Sequence, residues 1–216
     1  MGHWSSESEP PATEVKSAGI AAIETERLVL RPFVESDAAR VELLLNDKEI
    51  ASNTRTIDYP YPPGGAVKWI GKVTLWQETG DGYAFAICRP EDGGGETLIG
   101  AIGLEVNKQD HNAELGYWLG REFWNQGYCT EAAKSAIEFG FETLGLRRIA
   151  SEHMARNPAS GKVMEKAGMT REGLRRKHVR KWGVFEDVVV YGILSGDRRP
   201  DRGSIEGLGP KEGKFR

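Results

Sequence analysis

The stretch WNQGYCTEAA, residues 124 to 133, joins strand-like alternation on its N-terminal side to helix-like spacing on its C-terminal side. A helix that begins at residues 127 to 130 leaves several backbone N–H groups without intrahelical acceptors, with the positive end of the helix dipole behind them. Such a turn binds anions. Gly127 admits a ligand close to the main chain and Thr130 adds a hydroxyl, so phosphate or pyrophosphate is the natural ligand. The loop has neither the lysine of a P-loop nor the three-glycine spacing of a dinucleotide fold, which argues against nucleoside triphosphate chemistry and NAD. A plain helix cap has the same local appearance, so the surrounding elements must decide.

Those elements are legible from period and punctuation. ERLVLRPF, residues 26 to 33, alternates and stops at Pro32, as a first strand does. SDAARVELLLND follows with Ser36 or Asp37 as N-cap and Val41, Leu44 and Leu45 on one helical face. After a loop containing DYPYPPGG, helical spacing returns through Ala66, Trp69, Ile70, Val73 and Trp76. Residues 83–88, 97–106 and 113–119 read as three strands with short turn-rich connections, hence an antiparallel meander. From residue 127 the order becomes helix, strand, helix, strand, strand. In NPASGKVMEKAG, Asn157 is the expected N-cap, Pro158 the first helical residue and Gly168 the stop. Residues 184–194 are apolar on both faces, as in a strand inside a sheet.

The run AELGYWLGREFWNQGYCTEAAKSAIEFGFETLGLRRI, followed by NPASGKVMEKAGM, resembles the GNAT N-acetyltransferase superfamily. The similarity is greatest to its Rim-type branch of ribosomal-protein N-terminal acetyltransferases, of which TERLVLRPF is also typical. It spans about residues 25 to 194. The fold implied is α+β in three layers: a mixed, mostly antiparallel sheet of about seven strands, helices on both faces, and a splayed central strand pair. Acetyl-CoA is implied in the splay between strands 113–119 and 147–155, with its pyrophosphate on the turn formed by Asn125, Gln126, Gly127, Tyr128, Cys129 and Thr130. The family loop usually has Arg or Gln where Trp124 stands, although the Rim-type branch commonly carries an aromatic there; Asn125 and Cys129 replace smaller residues.

Acetyl transfer requires a neutral amine near the thioester, an oxyanion donor and a proton for the leaving thiolate. The resemblance places Glu114 near the acceptor amine, as base or orienting group, with a structural salt bridge as the alternative. It also turns the main-chain N–H groups around Trp118 and Leu119 toward the thioester. Asn157 and Ser160 match the family's Asn-x-x-Ser, so Asn157 is a cofactor contact or a cap and Ser160 a donor to the departing sulfur. Some Rim-type members have a further carboxylate where this chain has Val179, beside His178; adjacent strand residues face opposite ways, so His178 is no simple substitute, and it stands as a candidate catalytic or substrate-binding residue with a solvated edge as the alternative. In the aromatic loop IDYPYPPGG, Tyr59 and Tyr61 are candidate walls of the acceptor pocket.

The composition excludes several classes. The net charge of −3 and pI near 5.9 give no general footprint for nucleic acid. Cys88 and Cys129 are too few for a disulfide framework, no apolar run approaches a membrane span, and the histidines have no metal-ligand spacing, so a cytoplasmic protein without a metal is expected. Residues 1–24 and 197–216 read as mobile tails around a domain at 25–196. Cys129 reads as a packed small residue, GGG at 93–95 as a hairpin linker, and RRKHVRK at 175–181 as a charged strand edge. The resulting expectation is an acetyl-CoA-dependent transferase acting directly on a primary amine, such as a protein N-terminus. The alternatives are a small-molecule amine acceptor, or a non-catalytic acyl-CoA-binding protein. Many relatives pair through a sheet edge, so a homodimer is a further expectation.

Overall fold

The computed structural model describes residues 20–197; of the expected tails, residues 1–19 and 198–216 lie outside the described part. The folded chain starts before residue 25, because Ile23–Glu24 form a short strand, β1, opposite Leu30 and Val29 of β2 (Val29–Pro32). Two residues carry no readable period, which is why the sheet has eight strands where about seven were expected. The others are β3 (Gly82–Pro90), β4 (Glu96–Asn107), β5 (Asn112–Leu119), β6 (Arg148–Met154), β7 (Thr170–Lys181) and β8 (Val184–Leu194). Their order is β1-β2-β3-β4-β5-β6-β8-β7, and every neighbouring pair is antiparallel except β5 with β6.

Alternation along the central strands separates two apolar layers. Phe85 and Ile87 of β3 join a cluster with Ile137 and Phe139 of α4 (Tyr128–Glu142) and Met164 of α5 (Pro158–Lys166). Ala86 and Cys88 point the other way, toward Val41 of α1 (Ala38–Leu45) and Ile70 and Val73 of α3 (Gly65–Thr79). A short helix missed by the periodicity argument, α2 (Lys48–Asn53), starts where Asp47 Oδ1 accepts the Glu49 N–H at 2.7 Å. Asp37, one of the two residues expected at the start of α1, is its N-cap, although its side chain makes no bond into the helix. A 3-10 turn, Glu35–Asp37, precedes it, and the Asp37 carboxylate accepts the Val34 N–H at 2.9 Å and pairs with Arg31 at 2.7 Å. Among the described residues no helix is long and apolar enough to cross a membrane.

The feature that positions a site is the parting of β5 from β6. Their parallel pairing covers only Asn112, Glu114 and the residue between, opposite Arg148 to Ala150. One step further, Ser151 Oγ donates to Leu115 O at 2.8 Å. Beyond that tie Tyr117 occupies the opening, its hydroxyl on Ser160 at the start of α5. The far half of the sheet also outruns its helices. Phe185 is 60% exposed, so β8 is a buried strand only from Val188 onward and the expectation for its first residues was wrong.

Candidate active site

The turn before α4 has the geometry an anion needs. Gly127 is the N-cap at φ +84° with no side-chain cap, and the first backbone bond of the helix runs from Glu131 N–H to Gly127 O at 3.1 Å. The amides of Tyr128, Cys129 and Thr130 precede that bond and point out of the helix end. Asn125 also takes a left-handed conformation, φ +60°, which asparagine tolerates better than most residues. Gln126 Nε2 donates to Glu122 O at 2.8 Å, so this side chain braces the loop. The Cys129 thiol is packed against the core and burial pushes its pKa up, as suits an inert residue.

Arg27, invisible to any local pattern, stands beside this turn. Its Nη1 donates to Gln126 O at 3.0 Å, its Nε to Glu131 Oε2 at 2.8 Å, and its guanidinium lies 4.7 Å from the Tyr128 ring centre. A Cβ on Gly127 would come within 3.2 Å of Arg27 Nη2. Glu131 further accepts from Thr25 Oγ1 at 2.6 Å and from Arg27 N–H at 2.7 Å. The β1–β2 turn is therefore locked to the first turn of α4. Arg27 is itself neutralised by Glu131, at 2.7 Å from Nη2, so it braces the turn, and what suits a phosphate is the set of outward amides.

A cleft of about 760 Å³ opens where β5 and β6 part, and its lining comes from both faces of the sheet. On the α4 side lie Tyr117, Ser151 and Ser160; on the α3 side lie Glu114, Gly116, Trp118, Glu152 and Val179. The lining ends at Tyr117, Trp118 and Ser160, so the 125–130 turn sits outside the cleft, at the start of the next helix. A second open basin of about 780 Å³ near Arg31 and Arg40 is charge-neutralised within itself, Arg31 by Asp37 and Glu96 and Arg40 by Glu122.

Glu114 projects into the cleft from the α3 side. Its side chain is exposed to the open cleft, where partial desolvation by the walls raises its pKa, the carboxylates of Glu152 and Glu105 add to the rise, and Arg55 and Arg175 oppose it. It makes no salt bridge among the described residues, which disfavours the structural alternative. Across the opening, Tyr117 Oη lies 2.8 Å from Ser160 Oγ and donates to Ser160 O at 3.0 Å. Burial pushes the Tyr117 phenol well above its ordinary range, so it stays protonated and holds that proton more tightly than a free tyrosine does.

Several expected residues stand elsewhere. The Trp118 carbonyl is turned toward β4, where a Cβ on Gly100 would collide with it, so Trp118 offers its ring to the α3 side and not its main chain to the opening. Backbone groups alternate along a strand, so those of Leu115, Tyr117 and Leu119 face the splay; the Leu119 carbonyl is capped by Trp124 Nε1 at 2.9 Å. Tyr61 lines the cleft, whereas Tyr59 stands outside the lining, 42% exposed, just before the cis bond to Pro60. His178 belongs to a bulge between Arg175 and Val179 that turns it to solvent and Val179 inward. Asn157 is the N-cap of α5 but makes no side-chain capping bond, contrary to the cap expected of it.

Residues 27–170 match the family model described as an acetyltransferase (GNAT) domain. The probable N-acetyltransferase YjcK of Bacillus subtilis is 33% identical over 176 residues, 79% of this chain and 95% of that one. The ribosomal protein uS5-alanine N-acetyltransferase of Escherichia coli is 24% identical, over 82% of this chain and 93% of its own. In fold, the RimL ribosomal-protein acetyltransferase solved in complex with coenzyme A superimposes with a TM-score of 0.73 at 20% identity, covering 81% of this chain and 98% of that one. The chain therefore belongs to the GNAT acetyltransferases and is an acetyl-CoA-dependent acyltransferase.

Proposed function

We propose that the chain acetylates a primary amine, a peptide N-terminus by preference, by direct attack within a ternary complex. The carrying observation is that one cleft holds an ionisable carboxylate, Glu114, on its α3 side and a hydroxyl pair, Tyr117 and Ser160, on its α4 side. Acetyl-CoA fits the latter side: the outward amides of 128–130 and the αL Gly127, in a turn braced by Arg27, suit its pyrophosphate, and the unbonded Asn157 side chain stands at the neighbouring helix start. When bound, it supplies an acetyl group on a leaving thiol. The acceptor enters from the α3 side, past Tyr61, Trp69 and Trp118.

Glu114 takes the proton from the ammonium form of the acceptor, directly or through a water, and so frees the lone pair that attacks the carbonyl carbon. Its raised pKa matches this duty, since a base nearer neutrality holds the proton more readily. Main-chain N–H groups of Tyr117 and Leu119, facing the splay, are the oxyanion donors that Trp118 cannot be. As the carbon–sulfur bond breaks, the attacking nitrogen sheds its second proton; Ser160, hydrogen-bonded to Tyr117, passes a proton to the sulfur and is reprotonated by the one the nitrogen releases, so the thiol leaves neutral and the hydroxyl pair is restored. A peptide acceptor is favoured by the likeness to an enzyme that acts on a ribosomal-protein alanine, over most of both chains.

The test is release of free thiol from acetyl-CoA with a panel of peptides and small amines, an alanine-starting peptide and spermidine among them. Thiol release with acetylation of the peptide N-terminus is expected. Release with spermidine alone would make it a small-molecule enzyme, and tight cofactor binding with no release from any amine would make it a binding protein. Ser160→Ala should lower turnover by roughly tenfold or more at nearly unchanged acetyl-CoA affinity; an equal fall in affinity would make it a binding residue.

A further inference from the structure

The segment from Ser52 to Asp58 leaves the helices that pack on the near half of the sheet and crosses the splay to the far half. Asn53, Thr54, Arg55, Thr56 and Ile57 line the cleft. Three cations of the far half hold this segment or its partner. Lys181, on β7, donates from Nζ to Ile57 O at 2.6 Å. Arg156, just beyond β6, reaches the Ser52 carbonyl and Asn53 Oδ1, the latter at 3.0 Å, while its Nε pairs with Glu186 of β8 at 2.9 Å. Arg55 of the segment pairs with Glu152 of β6 at 3.4 Å, and Arg175 of β7 holds the other oxygen of Glu152 at 3.2 Å.

Lys181 is the informative member. A lysine on an edge strand normally projects into water and keeps the edge from pairing. Here it is 6% exposed, on the same face as the buried Val179, with its ammonium on the Ile57 carbonyl, 5.2 Å from the Trp182 ring centre and under the attraction of the Asp58 carboxylate of the same segment. Burial lowers its pKa. A cation held away from water at such cost, with its hydrogen bond to the segment that lines the acceptor side, is placed for the geometry of that segment.

We propose that Lys181 and Arg156 are positioning residues that fasten the 52–58 segment across the splay and thereby shape the acceptor subsite. The inference rests on the reading of the α3 side of the cleft as the acceptor side. It has a second consequence, because the fastened segment carries Arg55. The charges facing Glu114 are Glu105 on β4, Glu152 on β6, Arg175 on β7 and Arg55 on the segment. Releasing the segment withdraws the one of these cations that it carries, so the Glu114 pKa rises further.

Lys181→Met keeps the length and apolar stem and removes the donor; Lys181→Arg restores a donor and a charge. With the alanine-starting peptide as acceptor, Lys181→Met should raise the acceptor KM about tenfold and leave the acetyl-CoA Kd unchanged, with partial recovery in Lys181→Arg. The acid limb of its kcat/KM profile should move to higher pH, as it should in Arg55→Ala. Hydrogen exchange over 52–58 should quicken in Lys181→Met while 125–130 stays as in the parent, a readout that needs no turnover. Unchanged exchange over 52–58, or an acetyl-CoA Kd that moves by the same factor as the acceptor KM, would overturn the proposal. Should Lys181→Met fail to fold, Arg156→Ala, on an exposed residue, carries the same expectations and refutations. Failure of the acceptor reading looks different: Glu114→Gln would then be silent while Lys181→Met still quickens exchange over 52–58.

Discussion

At the start of α4, six consecutive residues and one glycine dihedral make the candidate phosphate turn, with Arg27 as a distant partner. At the acceptor end, the lining comes from the 53–57 segment, α3, β3, β4, β5, β6, β7 and β8, and the charges that face Glu114 arrive from four separate elements. A helix end is a binding device wherever it occurs, because outward amides are a property of the helix itself. A carboxylate with a shifted pKa requires neighbours, and these arrive from separate elements. The cofactor end should therefore respond to changes within the turn, and the acceptor end to changes scattered along the chain.

The largest expected effect is at Glu114. Glu114→Gln keeps the shape and removes the base, and should lower turnover about a hundredfold or more at pH values where the acceptor amine is still protonated. Because partial desolvation and neighbouring carboxylates raise the Glu114 pKa, activity in the parent should fall on acidification above the ordinary carboxylate range. In the variant that limb should vanish from the pH–rate profile. A profile and maximal rate equal to the parent would leave the proton to another group or to water.

Next is Gly127→Val, which places a β-branched residue at φ +84° and a Cβ 3.2 Å from Arg27 Nη2. The strain, ~1–3 kcal/mol, is relieved by rearranging the turn. Acetyl-CoA affinity, read by calorimetric titration, should fall by roughly a hundredfold, with the fold retained by circular dichroism. Gly116 sharpens the contrast from the other side: a Cβ there meets nothing within 4 Å, and the residue lines the cleft on the same face as Glu114 and Trp118. Gly116→Leu should leave the melting temperature nearly unchanged and raise the acceptor KM about tenfold by filling that space. Equal losses in both substrates would mean that the two ends are not separate.

The smallest effect concerns the lock between the β1–β2 turn and α4. Burial acts to raise the Glu131 pKa, but the hydrogen bonds from Thr25 and Arg27 lower it overall. A carboxylate depressed in the folded state contributes stability above its unfolded pKa, and that contribution is lost as the pH falls through the folded value. Glu131→Gln should cost ~1 kcal/mol in urea unfolding at neutral pH, and the difference from the parent should shrink as the pH is lowered below the ordinary glutamate range.

The same contrast governs how much the sequence disclosed. The α4 turn, the start of α5 and the parting of β5 from β6 follow from short-range signals and family likeness, and Gly127, Pro158 and Gly168 occupy the predicted positions. Arg27 was not legible, since 99 residues separate it from Gln126, nor was Lys181, 124 residues from Ile57. RRKHVRK reads as a solvated edge because composition carries no direction; the bulge at 176–178 decides that Val179 and Lys181 turn inward and His178 outward. Trp118 was assigned a main-chain role for want of the register that turns its carbonyl to β4. Tyr117 was passed over because a tyrosine beside Leu115 and Leu119 looks like core until Ser160 is seen against its hydroxyl.

The division of labour between the two ends is tested most directly by measuring acetyl-CoA Kd and acceptor-dependent turnover together, on the same preparations of the parent, Gly127→Val and Glu114→Gln. The account predicts that Gly127→Val weakens acetyl-CoA binding while turnover at saturating cofactor stays within a few-fold of the parent, and that Glu114→Gln binds acetyl-CoA like the parent while turnover falls about a hundredfold. An unchanged Kd in Gly127→Val, or a Glu114→Gln variant that loses cofactor affinity in step with rate, would contradict it.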